Sequence, residues 1–175
     1  MAVRDYTIQF SGLAEGDHRF DFVLDKAFFA LFQEEQILGG RVDAEVTLDR
    51  QSRMLVFFFD LKGVVEVVCD RCADPLLIAV AGKQELIVRI GEEGESTDDD
   101  LVFIPEEAFE FDLSQHLFDY VHILLPMRLT HDDSADGKGC DPEMLKLLER
   151  YNAEKPSDNP WQGLEKLLGD TPNEN

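Results

Sequence analysis

Basic residues are scarce in this 175-residue sequence: 16 Lys and Arg stand against 37 Asp and Glu, a formal net charge of -21. Such a surface repels phosphate, so nonspecific nucleic-acid binding is disfavoured and basic partners are favoured. The same charge also serves plain solubility. Cysteine is nearly missing, with only Cys69, Cys72 and Cys140. An odd count without a secretory start argues against a disulfide framework and for reduced thiols or a metal site. No run approaches the ~20 apolar residues that span a bilayer, and no opening segment joins a basic start to an apolar stretch. The expectation is a cytoplasmic protein with no membrane partner. Also missing are a Gly-rich phosphate loop, a G-x-S-x-G turn and a carboxylate pair suited to acid-base work. The chain is therefore expected not to be an enzyme, with no small-molecule substrate.

What is present is enough apolar residue for a core: 44% hydrophobic, with 13 Phe. Length and composition predict one α+β domain over residues 1–152, with a helical tail over 153–175. YTIQFSGL from Tyr6 and HRFDFVL from His18 alternate apolar and polar positions around a turn-like AEGD, which predicts a hairpin. KAFFALFQEEQIL predicts a short helix capped by Asp25, with Phe28, Phe29, Leu31 and Phe32 on one face and Gly39-Gly40 as its stop.

RVDAEVTLD and MLVFFFDLKGVVEVVC then predict an antiparallel pair. Val42, Ala44, Val46 and Leu48 share one face of the first strand. Phe57, Phe59, Leu61, Val65, Val67 and Cys69 share one parity of the second, opposite to Asp60, Lys62 and Glu66. PLLIAVAGKQELIVRI returns as a further strand, with Gly82 as a candidate bend, and LVFIPE is a short strand beyond the acidic stretch 91–100. FDLSQHLFDYVHILLP changes to helical period, with Asp112 and Gln115 as a capping box and Leu113, Leu117, Tyr120, Val121 and Leu124 inward. Asp141-Pro142 and Asn159-Pro160 each start a terminal helix. The predicted fold is an antiparallel sheet of hairpins packed with a few helices; a partly closed barrel is the alternative.

The C-D-R-C knuckle between two strands admits three chemistries. As a metal site, Cys69 and Cys72 need two further ligands, which His131 and Cys140 supply in a Cys3His set suited to zinc. As a redox pair they lack the helix N-terminus that lowers a thiol pKa, because the following residues read as a strand. As packing, they are two small hydrophobes at a hairpin end. His116 and His122 flank the apolar face of the second helix and read as boundary packing. Trp161 is an anchor for the last helix, either on its own domain or on a partner.

VEVVCDRCADPL after a long apolar strand, then FDLSQHLFDYVHILLPMRLTH, a loop ending in GC, and finally NPWQGLEKLL follow in an order that resembles the bacterial YceD family of large ribosomal RNA subunit accumulation proteins. The resemblance covers most of the chain. It implies a non-enzymatic role in accumulation or processing of large-subunit ribosomal RNA, hence ribosome biogenesis. Its matching positions are Cys69, Arg71, Cys72, Pro126, His131, Cys140, Asn159 and Pro160. Tyr120, Val121 and His122 depart from a stretch that the family often makes more acidic. The implied partners are ribosomal RNA, basic ribosomal proteins of the large subunit, or a junction of the two. RNA contact needs a Lys/Arg footprint. Lys62, Arg71, Lys83, Arg89 and Arg128 are the candidates to gather at the knuckle, and Arg71, Lys62, Arg128 and Trp161 are the expected partner contacts.

Overall fold

Alternation of buried and more exposed positions, broken by the run Leu55–Phe57, carries through three long strands and builds the molecule. The computed structural model describes residues 6–32, 36–91 and 101–153. In chain order these form β1 (Thr7–Gln9), β2 (Gly16–Leu24), α1 (Lys26–Phe29), β3 (Ile37–Arg50), β4 (Met54–Val68), β5 (Pro75–Ile90), β6 (Leu101–Ile104), β7 (Glu110–Asp112), α2 (Ser114–Ile123), a 3-10 turn (His131–Asp133) and α3 (Pro142–Ala153). Contacts divide the chain after Cys140 into a first unit with both sheets and α2 and a second unit with α3.

The main sheet has the order β2-β3-β4-β5-β6, and β1 pairs with β7 in a separate two-stranded sheet. This is the expected α+β class; the main sheet stays open, with β2 and β6 as its outer strands. β2, β3, β4 and β5 run antiparallel in succession, whereas β6 lies parallel to β5. A tight hairpin cannot deliver a parallel neighbour, and the longer connection after Gly91 can. β4 and β5 stay in register from Met54↔Arg89 to Val68↔Pro75 with no shift, so Gly82 makes no bend. Gly82 instead admits a neighbour: a Cβ there would overlap the Leu124 side chain.

The inward parity holds. Val42, Ala44, Val46 and Leu48 of β3 and Phe57, Phe59, Leu61, Val65 and Val67 of β4 are buried, with Ile78, Val80, Leu86 and Val88 beside them from β5. α2 covers this face with Leu117, Phe118 and Val121, and the Tyr120 ring meets Phe59 edge-on at 4.9 Å. Phe118 stacks on Phe32 at 3.9 Å. The Asp112 carboxylate accepts from the Ser114 N–H at 2.8 Å, but Leu113 is the cap residue, so Gln115 sits one place too early for a capping box and donates to Asp119 instead.

Two expected elements differ. The Tyr6 strand does not form a hairpin with β2: β1 pairs with β7 from Thr7↔Asp112 to Gln9↔Glu110, while β2 takes β3 along all nine of its residues. Alternation marks a strand but not its partner. The Asp25 cap forms, accepting from Ala27 and Phe28 N–H at 3.0 and 3.3 Å, yet α1 is four residues long and Leu31 is exposed. Gly39 and Gly40 do not end this helix; they lie inside β3 at φ 155 and 147, where a register shift lets Ile37 reach Val67. Only glycine takes such dihedrals cheaply, so the pair makes a bulge. In the second unit, Asp141 caps α3 by accepting from the Glu143 N–H at 2.9 Å, as expected. The second terminal helix at Asn159 and the tail it belongs to lie outside the described residues.

Phe57 is fully buried between Phe59 and Phe111, with ring centroids at 6.3 and 5.6 Å. Phe57→Ala is expected to cost about 3–5 kcal/mol in denaturant unfolding, because the sheet holds the cavity open.

Candidate metal centre

The closed end of the β4–β5 hairpin is a six-residue knuckle, Cys69–Asp74. Two backbone bonds shut it: the Cys69 N–H donates to the Asp74 carbonyl at 2.9 Å and the Ala73 N–H to the Cys69 carbonyl at 3.0 Å. The closure sets Ala73 at φ 61, a left-handed conformation that its Cβ disfavours. The same turn aims the Arg71 N–H at Cys69 Sγ, 3.4 Å away. The strand parity that carries Val65 and Val67 inward delivers Cys69 to the interior, where it is 2% exposed; Cys72 is 3% exposed.

His131 and Cys140 arrive from the segment after α2. Asp70 clasps that segment: its carboxylate accepts from the Leu129 N–H at 2.7 Å, and its own N–H donates to the Leu129 carbonyl at 2.8 Å. Arg71 donates to the Asp132 carboxylate at 2.8 Å. Further along, the Ala135 N–H donates to the Leu77 carbonyl at 2.7 Å. Held on both sides, His131 is buried and turns Nδ1 toward two sulfurs, 3.5 Å from Cys72 Sγ and 3.6 Å from Cys140 Sγ. Cys69 Sγ and Cys140 Sγ are 3.9 Å apart, and all four ligand atoms lie within 4.8 Å of one another.

These separations suit one ion. A tetrahedral centre with metal–sulfur bonds of about 2.3 Å and a metal–nitrogen bond of about 2.0 Å needs S···S near 3.8 Å and S···N near 3.5 Å. Four protein ligands complete the tetrahedron and leave no open position, as in structural rather than catalytic sites.

The electrostatics agree with a cation. Burial pushes the Cys69 thiol up, but the Cys72 and Arg71 N–H groups, with the His131 and Cys72 side chains, outweigh it and bring Cys69 from 9.0 to about 6. Cys140 ends on the other side, raised: burial pushes it up, the His131 N–H opposes this, and the neighbouring Cys69 and Cys72 reinforce it. Thiols in contact resist sharing negative charge, and a bound cation removes that conflict. Arg71 lies close enough to Cys140 to feel its charge as well as that of Asp132.

All four residues expected to form the site, Cys69, Cys72, His131 and Cys140, therefore come together. The basic residues gather only in part. Arg71 is paired with Asp132, and Arg128 is exposed one residue before Leu129. Lys62 is exposed on the outer face of the sheet, opposite Asp43, and Lys83 is 3.1 Å from Asp60. Arg89 is fourteen residues along β5 from Pro75, about 45 Å at the rise of a strand. Arg71 and Arg128 lie at or beside the knuckle, whereas the unbroken ladder strings Lys62, Lys83 and Arg89 away from it along its length. Trp161 lies outside the described residues. Sequence reasoning missed the clasp by Asp70, whose carboxylate turns to the Leu129 N–H. An Asp directly after the first Cys of a knuckle was the available signal.

An open mixed sheet whose longest hairpin ends in a closed Cys3His cluster defines an α+β protein with a structural metal-compatible centre. A family model described as Large ribosomal RNA subunit accumulation protein YceD matches residues 58–168, more than half of the chain and all four cluster residues. The chain belongs to the YceD family, which assigns it a role in ribosome biogenesis. No curated protein and no solved structure matches it. Among the described residues no helix is long and apolar enough to cross a membrane.

If an ion occupies the cluster it ties the Asp70 and Leu129 segments together, so chelation is expected to lower the melting temperature and to speed hydrogen exchange at those two amides. The sign of the pH effect follows from Cys69. Its folded pKa lies below its unfolded value, so its contribution is full above about 9, falls between 9 and 6, and is lost below about 6. Cys140 opposes this, being raised. With metal bound, proton competition for the thiolates should release the ion on acidification, at a pH below the metal-free value of Cys69, read as loss of cobalt–thiolate absorbance.

Ala73 supplies a separate check on the knuckle. Ala73→Gly is expected to raise stability by up to about 1 kcal/mol and Ala73→Val to lower it, both measured by thermal unfolding.

Proposed function

We propose that the protein serves large-subunit ribosomal RNA accumulation without catalysis, by holding a basic ribosomal protein of the large subunit, and that the Cys3His centre is a zinc site with a structural role. Three thiolates and one imidazole are soft and borderline donors of the kind that select zinc. Burial of Cys69 and Cys72, and a strand rather than a helix after the knuckle, speak against thiol-exchange chemistry.

The observation that carries the choice of partner is the outer face of the sheet. Asp21, Glu45 and Asp60 are direct cross-strand neighbours on β2, β3 and β4, and Asp17 faces Asp49 two rows away on the same face. Like charges placed directly opposite destabilise a sheet, so this face gains from a cationic partner. Arg19, Arg41, Arg53, Arg71, Lys83 and Lys138 are each already within salt-bridge distance of a carboxylate, which leaves a weak footprint for phosphate.

Affinity capture from cells, at low and high salt and with or without ribonuclease, tests this. Large-subunit proteins should be retained after ribonuclease and lost at high salt. Loss on ribonuclease alone would make RNA the partner, and recovery of no ribosomal component would overturn the assembly role. Asp21→Asn should weaken capture while leaving stability unchanged or higher by up to about 0.5 kcal/mol.

A further inference from the structure

The ladder that builds the sheet also leaves part of it open. β5 pairs with β4 along its whole length, but β6 covers only Ile87–Ile90 on the other side. The direction of each backbone group follows from its bonds. The Leu77 carbonyl accepts from Ala135, the Glu85 carbonyl from the Tyr120 hydroxyl at 3.4 Å, and the Gly91 N–H donates to Ile104, so odd-numbered residues of β5 point away from β4. The Ile90 N–H donates to Arg53, as an even-numbered residue facing β4 should. Ala79, Ala81 and Lys83 thus turn both N–H and carbonyl to the free edge, all three are exposed, and among the described residues nothing takes these groups. The vacant lane runs from Ala135 at Leu77 to β6, about 26 Å between Leu77 and Glu85 at the rise of a strand.

We propose that the free edge of β5 between Leu77 and Glu85 is a strand-addition site for an extended basic segment of a protein partner. The identity of the partner as a basic protein rests on the function proposed above; the edge itself does not. Edges that must stay unpaired are blunted by bulges, proline, short length or inward charge. This edge is in unbroken register and has no proline between Leu76 and Ile90, and the ammonium of Lys83 is drawn to Asp60 on the sheet face. Ala79 and Ala81 are small enough for close approach.

The two flanks of the lane prescribe the occupant. On one side is α2, where Tyr120 touches the Glu85 carbonyl, Leu124 lies over Gly82, and Ile123, three residues on from Tyr120, is 63% exposed. On the other is the charged outer face, with Glu85 near one end of the lane and Glu66, in register with Leu77, at the other. A strand alternates its side chains between two faces, so the segment that fits has apolar residues toward α2 and Lys or Arg outward. The chain's net charge of -21 favours its approach.

The test uses the full chain and a soluble synthetic peptide of alternating Lys and Val, about nine residues long, enough to fill the lane. Binding is followed by fluorescence anisotropy, and hydrogen exchange is followed at the Ala79, Ala81 and Lys83 amides. The expected result is saturable binding with slowed exchange at those three amides. Ala81→Pro removes an outward N–H without touching the β4 ladder and should weaken binding about tenfold or more. Ala81→Val, which keeps the N–H, should bind within about threefold of the original chain on the same grounds. A peptide N-methylated at alternate residues keeps the charge but loses the donors and should not bind, which keeps the test decisive even where the proline variant unfolds.

Equal binding by the N-methylated peptide would reduce the contact to charge and overturn the proposal. So would an absence of peptide binding. Edge amides already protected in dilute protein would show the lane filled by the chain itself, and protection that grows with protein concentration would show a second copy there; either result overturns the basic-segment assignment. Capture of large-subunit proteins that persists while the peptide fails overturns only the strand addition. Loss of that capture overturns the proposed function.

Discussion

The fold depends on one ladder, the antiparallel pairing of β4 with β5 without a register shift. Side chains alternate with period two, so a slip of one residue would turn Phe57, Phe59, Leu61, Val65 and Val67 out to water and Asp60, Lys62 and Glu66 into the core. The apolar set forbids that slip. Because the register is rigid over the hairpin's length, it also decides where the hairpin closes and which way Cys69 points. The metal-compatible centre is thus an extension of the core packing.

The cluster and the sheet then stabilise each other through a small number of polar contacts. Asp70 holds the Leu129 backbone in both directions, and Arg71 holds Asp132, so the turn carrying His131 is fixed against the knuckle before any ion is considered. Thiols in contact with opposite tendencies, one lowered and one raised, are the electrostatic counterpart of that convergence. A dication satisfies all of them together, whereas protons satisfy them only in part. The strained Ala73 backbone is a local cost of bringing both cysteines to one point.

An acidic protein in ribosome biogenesis is less paradoxical once its charges are placed. Arg19, Arg41, Arg53, Arg71, Lys83 and Lys138 sit in pairs with carboxylates, and a row of carboxylates crosses three strands on the outer face. In the proposed function that surface would compete for the same cations that phosphate neutralises. The free edge of β5 adds backbone hydrogen bonds to a surface that otherwise attracts only by charge.

Much of this was legible in the residues. The parity of β3 and β4, the return of β5, the helix after Asp112, the Asp25 and Asp141 caps and the membership of all four cluster residues follow from local periodicity, capping chemistry and ligand type, which depend on near neighbours in the chain. The pairing of β1 with β7 and the parallel placement of β6 did not follow, because each is a competition between distant segments for one backbone edge; nor did the shortness of α1 or the spread of Lys62, Lys83 and Arg89, which the tertiary register sets. Gly39-Gly40 shows the limit well: the same dipeptide ends a helix or bulges a strand, and only the partner strand chooses. The sequence by itself determined which side chains face inward and which atoms can hold an ion; the tertiary structure alone decided which edge remains open, because hydrogen-bond partners of a strand are set by what lies beside it in space.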